Sequence, residues 1–163
     1  MRTDSSVRED ISEAIRKNPG IHFRELQRML GLAVGQLEYH LYRLEVEGRI
    51  FSRQDGRYRR YFPGDEGTQR ERTVLIALRN PDARKIVQAL FRQDMSTEVL
   101  RAFTGLRRKR FEGALAWLRE NGVVTLDGDT ARLSSREEVS RVITRYRESF
   151  IGTLADNFLS LFD

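Results

Sequence analysis

The chain repeats itself. At a constant offset of 74 residues, Leu26 falls on Leu100, Met29 on Phe103, Gly31 on Gly105 and Leu32 on Leu106. The match continues without a gap through Leu37 on Phe111, Leu41 on Leu115, Leu44 on Leu118, Gly48 on Gly122 and Ile50 on Val124. The coinciding positions are those a structural unit needs: a turn at Gly-Leu, apolar residues at i, i+4 and i+7, and a glycine stop. That pattern is one buried helical face closed by a C-terminal cap. A chain of 163 residues therefore holds two copies of one small unit, and each copy must bury its own apolar face.

The first copy reads as helix, short strand, helix, turn, helix and hairpin. Asp4 or Ser5 is expected to cap a helix with Val7, Ile11, Ala14 and Ile15 on one face, ended by Asn18-Pro19-Gly20. Ile21 and His22 are extended, and residues 23–30 form a short helix with Phe23, Leu26 and Leu30 at i, i+3 and i+7. Gly31-Leu32-Ala33 is the turn, and a third helix runs over residues 34–47. Residues 50–53 and 57–62 alternate as strands around Asp55-Gly56, a hairpin signal. The second copy repeats this order: a helical stretch over residues 68–91 broken at Asn80-Pro81, Met95 in place of Ile21, helices over 97–104 and 107–121, and strands around Asp127-Gly128. Ser135, with Glu138 three residues on, caps a last helix by the capping-box pattern. The expected fold class is mainly α with small β-hairpins, an α+β arrangement of tandem winged helix-turn-helix modules plus a long C-terminal helix. The expected domains are 1–63, 64–134 and 135–163, with Pro63-Gly64-Asp65-Glu66-Gly67 as linker.

In that arrangement the third helix buries one face and offers the other to the major groove of DNA. With Leu37, Leu41 and Leu44 inward, the expected recognition residues are Gly35, Gln36, Tyr39, His40 and Arg43. Gln36 suits an adenine edge, Arg43 a guanine edge or phosphate, and Tyr39 and His40 phosphate oxygens. The hairpin RIFSRQDGRYRRY holds five arginines against one acid, Asp55. Arg53, Arg57, Tyr58, Arg59 and Arg60 are the expected wing contacts to phosphate or the minor groove. Arginine dominates the cations, only Lys17, Lys85 and Lys109 being lysines, and the net charge of +5 fits a polyanionic partner. In the second copy Arg107, Arg108, Lys109 and Arg110 open the third helix against its macrodipole, which makes them candidate phosphate contacts. The rest of that helix has few base-reading side chains and its wing, Asp127-Gly128-Asp129, is acidic, so the first copy is expected to read DNA.

The stretch NPGIHFRELQRMLGLAVGQLEYHLYRLEVEGRI followed by DGRYRRYFP resembles archaeal winged-helix transcriptional regulators of the ArsR-like class, most specifically at Tyr39-His40-Leu41, Leu44-Glu45 and Gly48. The resemblance covers about residues 7–63 and extends more weakly to the second copy. It implies a homodimeric repressor or activator of transcription. Ala33 and Val34 stand where the family often has a Ser or Thr cap, and the cysteines of its metal-sensing members are missing, so neither feature is carried over.

Val139, Ile143, Tyr146, Phe150, Leu154, Phe158 and Leu161 recur every three or four residues, an apolar face expected to pack in a homodimer. The chain has no cysteine and only two distant histidines, which leaves no thiolate, disulfide or paired-histidine metal motif. No cofactor, metal or catalytic residue is expected, and the sequence shows no obvious ligand pocket, which leaves a small-molecule effector open. Without a long apolar run or an apolar leader at the start, a cytoplasmic protein without membrane contact is expected. The functional reading is a sequence-specific regulator bound to double-stranded DNA. A chromatin-like binder without sequence preference and a protein-interaction scaffold stay open beside it.

Overall fold

The computed structural model describes residues 2–65 and 67–147. The chain divides into two compact units, Met1–Arg72 and Thr73–Asp163. Both are small α+β winged helices, the fold class expected from the repeat.

In the first unit, α1 (Asp4–Lys17) starts one residue earlier than expected, because Thr3 is its cap and accepts the Ser6 amide at 3.2 Å. Its inward face is Val7, Ile11, Ala14 and Ile15. After the short strand β1 (Ile21–His22) comes α2 (Phe23–Leu30). Gly31 ends α2 at φ +64°, a left-handed conformation that a side chain would strain, and its amide closes on the Gln27 carbonyl at 2.9 Å. The third helix, α3 (Val34–Val46), begins at Ala33 without a side-chain cap. It leads into the hairpin of β2 (Ile50–Asp55) and β3 (Tyr58–Pro63). β3 is the central strand of an antiparallel sheet ordered β1-β3-β2. Val7, Ile11, Ile15, Ile21, Leu26, Leu37, Leu41, Leu44, Ile50 and Tyr61 form one core. Each fully buried aliphatic side chain contributes roughly 1.5–3 kcal/mol, so α3 is held mainly by its three leucines and not by its uncapped start.

The segment expected as a linker is partly built into this unit. Pro63 pairs with Ile50, and the Gly64 amide donates to the Arg49 carbonyl at 3.0 Å. The next helix, α4 (Gln69–Arg79), opens with a reciprocal cap: the Thr68 amide donates to Glu71 at 3.0 Å, and the Glu71 amide to the Thr68 hydroxyl at 3.1 Å. The unit boundary falls inside α4, and in its first turn the Arg72 guanidinium lies 4.4 Å from the Phe51 ring centre, a contact within the first unit.

The second unit repeats the plan. Asn80 caps α5 (Pro81–Arg92), accepting from Asp82 and Ala83, with proline at the first helical position. Then come β4 (Met95–Ser96), α6 (Thr97–Thr104), α7 (Arg108–Glu120), β5 (Val124–Asp127) and β6 (Thr130–Leu133). Gly105 ends α6 at φ +67°, as Gly31 ends α2, and the sheet order β4-β6-β5 matches the first. The repeat breaks at the hairpin. Ile50 pairs with Pro63, whereas Val124 pairs with Leu133, so the second wing is four residues shorter.

The C-terminal helix corrects an expectation. α8 (Arg136–Arg145) starts at the predicted Ser135 cap and ends at Tyr146. Arg136 anchors it to the end of α5 through the Leu90 carbonyl at 3.2 Å and the Asp94 carboxylate at 2.5 Å. Val139, Ile143 and Tyr146, expected to face a partner, are buried by their own chain and are not available to one. The same i, i+4 spacing serves a helix packed at home as well as one in a dimer. Phe150, Leu154, Phe158 and Leu161 lie outside the described residues.

Gly64 is a test of this packing. A methyl on its Cα would run into the Gly48 carbonyl oxygen, which is backbone and cannot swing away. Gly64→Ala is expected to destabilise the first unit by about 1–3 kcal/mol, measured as a lowered midpoint in urea unfolding. A wild-type midpoint would mean that this close approach is not kept.

Candidate nucleic-acid interface

The helical phase of α3 fixes what it presents. Residues advance about 100° per step, so with Leu37, Leu41 and Leu44 inward the opposite ridge is Gly35, Tyr39, Tyr42 and Val46. Tyr39 is 53% exposed and Tyr42 65%. Gln36 and Arg43 flank this ridge on one side, and Glu38 and Glu45 on the other. Tyr42, absent from the expected set, was detectable from its i+3 spacing to Tyr39.

His40 is a correction. It is 2% exposed, because position 40 lies three residues after Leu37 and one before Leu41, inside the buried arc. Its Nδ1 has no hydrogen-bond partner among the described residues. It packs edge-on to the Tyr39 ring at 5.2 Å and cannot reach a phosphate.

The arginines of the hairpin separate into classes. Arg60 is 5% exposed. Its Nε donates to Asp55 and its Nη1 to the Gly20 carbonyl, both at 2.9 Å, so it pins the hairpin to the turn after α1 and is not a DNA contact. This is the second correction, and its cause is position: Arg60 sits on the central strand, opposite Arg53 on one side and His22 on the other. Arg59 is exposed and joins wing to helix. Its Nε donates to the Ser52 hydroxyl at 2.9 Å, its Nη2 lies 3.9 Å from Glu45, and Ser52 in turn donates to Glu45. At the tip, Arg57 is exposed over the Tyr58 ring at 5.3 Å, and Tyr58 stacks on His22 at 4.9 Å. Arg53 is half-buried. Tyr61 points into the core, where burial, and secondarily the Glu45 charge, raise its hydroxyl above the ordinary phenol value.

Further cations flank the site. Arg43 lies 3.7 Å from Glu47, which Arg8 holds from α1 at 3.1 Å. On α2, Arg24 and Arg28 are exposed at i, i+4, opposite the buried Leu26. This pair is absent from the expected contacts, and its i, i+4 spacing opposite Leu26 is the signal that marks it in the sequence.

The second unit's equivalents differ. Arg24 and Arg28 fall on Glu98 and Ala102. Of the four cations opening α7, Arg108 is held by Glu112 at 2.9 Å, and Arg110 is held by both oxygens of Asp82 at 2.9 and 2.6 Å. Arg107, at the cap, and Lys109 are exposed.

Comparison with known proteins points to a helix-turn-helix domain in the first unit. Residues 5–75 match the family described as HTH_HVO_0163_N, N-terminal HTH domain. The first unit is a winged helix-turn-helix domain. Over 147 residues the chain is 26% identical to an uncharacterized HTH-type transcriptional regulator of Methanocaldococcus jannaschii. The match covers 90% of this chain and 35% of that protein, so the chain spans about a third of its relative's length. Among solved structures it is similar to HlyU from Vibrio cholerae, with 24% identity and a TM-score of 0.42 over 51% of this chain and 95% of that one. No described helix is long and apolar enough to cross a membrane.

The corrections are separable by mutation. Arg60→Ala leaves Asp55 and the Gly20 carbonyl without their donor and is expected to cost about 2–3 kcal/mol of stability, whereas Arg57→Ala leaves the unfolding midpoint unchanged. His40→Leu removes an unpaired buried polar atom and is expected to keep stability within about 1 kcal/mol of wild type or raise it. Equal midpoints for the two arginine variants would refute the assignment of Arg60 to the interior.

Proposed function

We propose that this chain is a sequence-specific transcriptional regulator of double-stranded DNA. In this reading α3 enters the major groove and the arginine hairpin lies on phosphate or in the minor groove. The observation that carries it is the Glu45–Ser52–Arg59 cluster, which ties the hairpin to α3 so that helix and wing move as one surface. Groove recognition needs that rigidity, since base edges are read only when phosphate contacts fix the register. The helix-turn-helix match over residues 5–75 and the archaeal relative's description as a transcriptional regulator support the same reading, as does the resemblance to ArsR-like regulators.

Roles follow from placement. Gln36 and Arg43 are the base readers, and Tyr39 and Tyr42 contact phosphate or base edges with their hydroxyls. Arg57, with Arg53 and Arg59 beside it, grips the backbone, and Tyr58 holds Arg57 in place. Arg24 and Arg28 add phosphate contacts from α2. The second unit does not read DNA, since its hairpin is short and acidic and two of its four α7 cations are held by carboxylates. Two copies of the chain would offer two such faces to a two-fold site.

Selection of bound duplexes from a random pool, followed by titration of the enriched and a random duplex, tests this. The enriched duplex is expected to bind at least ~10³-fold tighter. Gln36→Ala should lose about 1–3 kcal/mol of that discrimination with its salt dependence intact. Arg57→Ala should weaken both duplexes alike and lower the salt slope by about 1. Binding without enrichment would leave a DNA-coating protein, and no binding would leave a scaffold; either defeats the proposal.

A further inference from the structure

The outward ridge of α7 carries charges placed against its own dipole. Opposite the buried Phe111, Leu115 and Leu118, the exposed ridge is Lys109, Gly113, Ala116 and Glu120, at spacings of four, three and four. Lys109 sits at the positive N-terminal end, and Glu120 is the last helical residue, at the negative end. Neither has an ion-pair partner among the described residues. Arg108 and Arg110 on the same helix do, so the region is not short of carboxylates; these two are left over.

The ridge complements itself. Laid antiparallel on a second copy of α7, Lys109 meets the partner's Glu120, Glu120 meets the partner's Lys109, and Gly113 meets the partner's Ala116. The two ridge charges that lack an ion-pair partner within their own described chain then each have one. The middle of the ridge has no side chain larger than a methyl, and nothing lies within 4 Å of where a Gly113 Cβ would stand. Two helices can therefore approach closely there. On the preceding helix, α6, Val99 and Phe103 are also exposed, Phe103 to 61%. The corresponding ridge of α3, Gly35, Tyr39, Tyr42 and Val46, has no charge at either end and no small centre.

We propose that α7 is a homodimer contact, pairing antiparallel and two-fold with its copy through Lys109, Gly113, Ala116 and Glu120. The duplicated recognition helix then serves to hold two chains together, while α3 stays free. The proposal rests on the two-copy reading above for the partner's identity, and it does not require DNA binding.

Sedimentation equilibrium of the full chain without DNA tests it. Lys109→Glu and Glu120→Lys each place like charges together twice across the two-fold axis, and each is expected to weaken dimerisation by roughly tenfold or more. The double exchange should restore it. Each single change improves the charge match to the helix dipole, so helicity should hold and a loss of dimer is not a loss of fold. A monomeric wild type, a dimer indifferent to the single changes, or a double variant that stays weak would each overturn the proposal; the second would assign dimerisation to another surface. Because DNA is absent, failure here is distinct from failure of Gln36 and Arg57 to act on duplex.

Discussion

The first unit depends on where the Arg60 guanidinium goes. A cation taken almost wholly out of water is tolerated only when its donors are met, and here Asp55 and the Gly20 carbonyl meet them. One contact closes the hairpin on itself, and the other ties it to the turn between α1 and β1. The outer edge of the wing is thereby left to Arg57 and Arg59, and Arg59 reaches α3 through Ser52 and Glu45. The paired position in the second unit is Thr130, opposite Ser96 as Arg60 is opposite His22. Among the described residues that unit shows no such pin, and its hairpin is shorter.

Most of the architecture was readable from local pattern. The apolar spacing of Leu37, Leu41 and Leu44, the glycines at 31 and 105 and the Asn80-Pro81 break mark elements whose signals lie within a few residues, and they survive folding almost unshifted. The errors arose where residue type was allowed to outweigh phase. His40 and Arg60 have polar side chains, which argue for the surface, yet one lies in the arc its leucines define and the other on a strand with neighbours on both edges. Which strand of the hairpin becomes central depends on the two-residue β1, a pairing across about 40 residues that periodicity does not report. The buried half of α8 is the same lesson in reverse, since an apolar stripe says that something covers it but not whether the cover is the chain itself.

Duplication makes the functional argument comparative. Two units share helix order, glycine caps and sheet order, so the differences between them are not demands of the fold. Arg24 and Arg28 become Glu98 and Ala102, the six-residue strands of the wing become four, and the tyrosines of α3 become Gly113 and Ala116 on α7. Each change removes a cation, a reach or a hydrogen-bonding ring that a phosphate-lined groove would use. A merely solvated surface would accept either set, whereas a consistent shift of all three toward one chemistry is what the proposed change of partner requires. The retained oddity is a cation at the start of α7 and an anion as its last residue, and each opposes the helix dipole where it stands. Charge of that polarity is satisfied most simply by a second helix running the other way, and on the two proposals made above one scaffold, copied once, reads an anion with one copy and meets its own twin with the other.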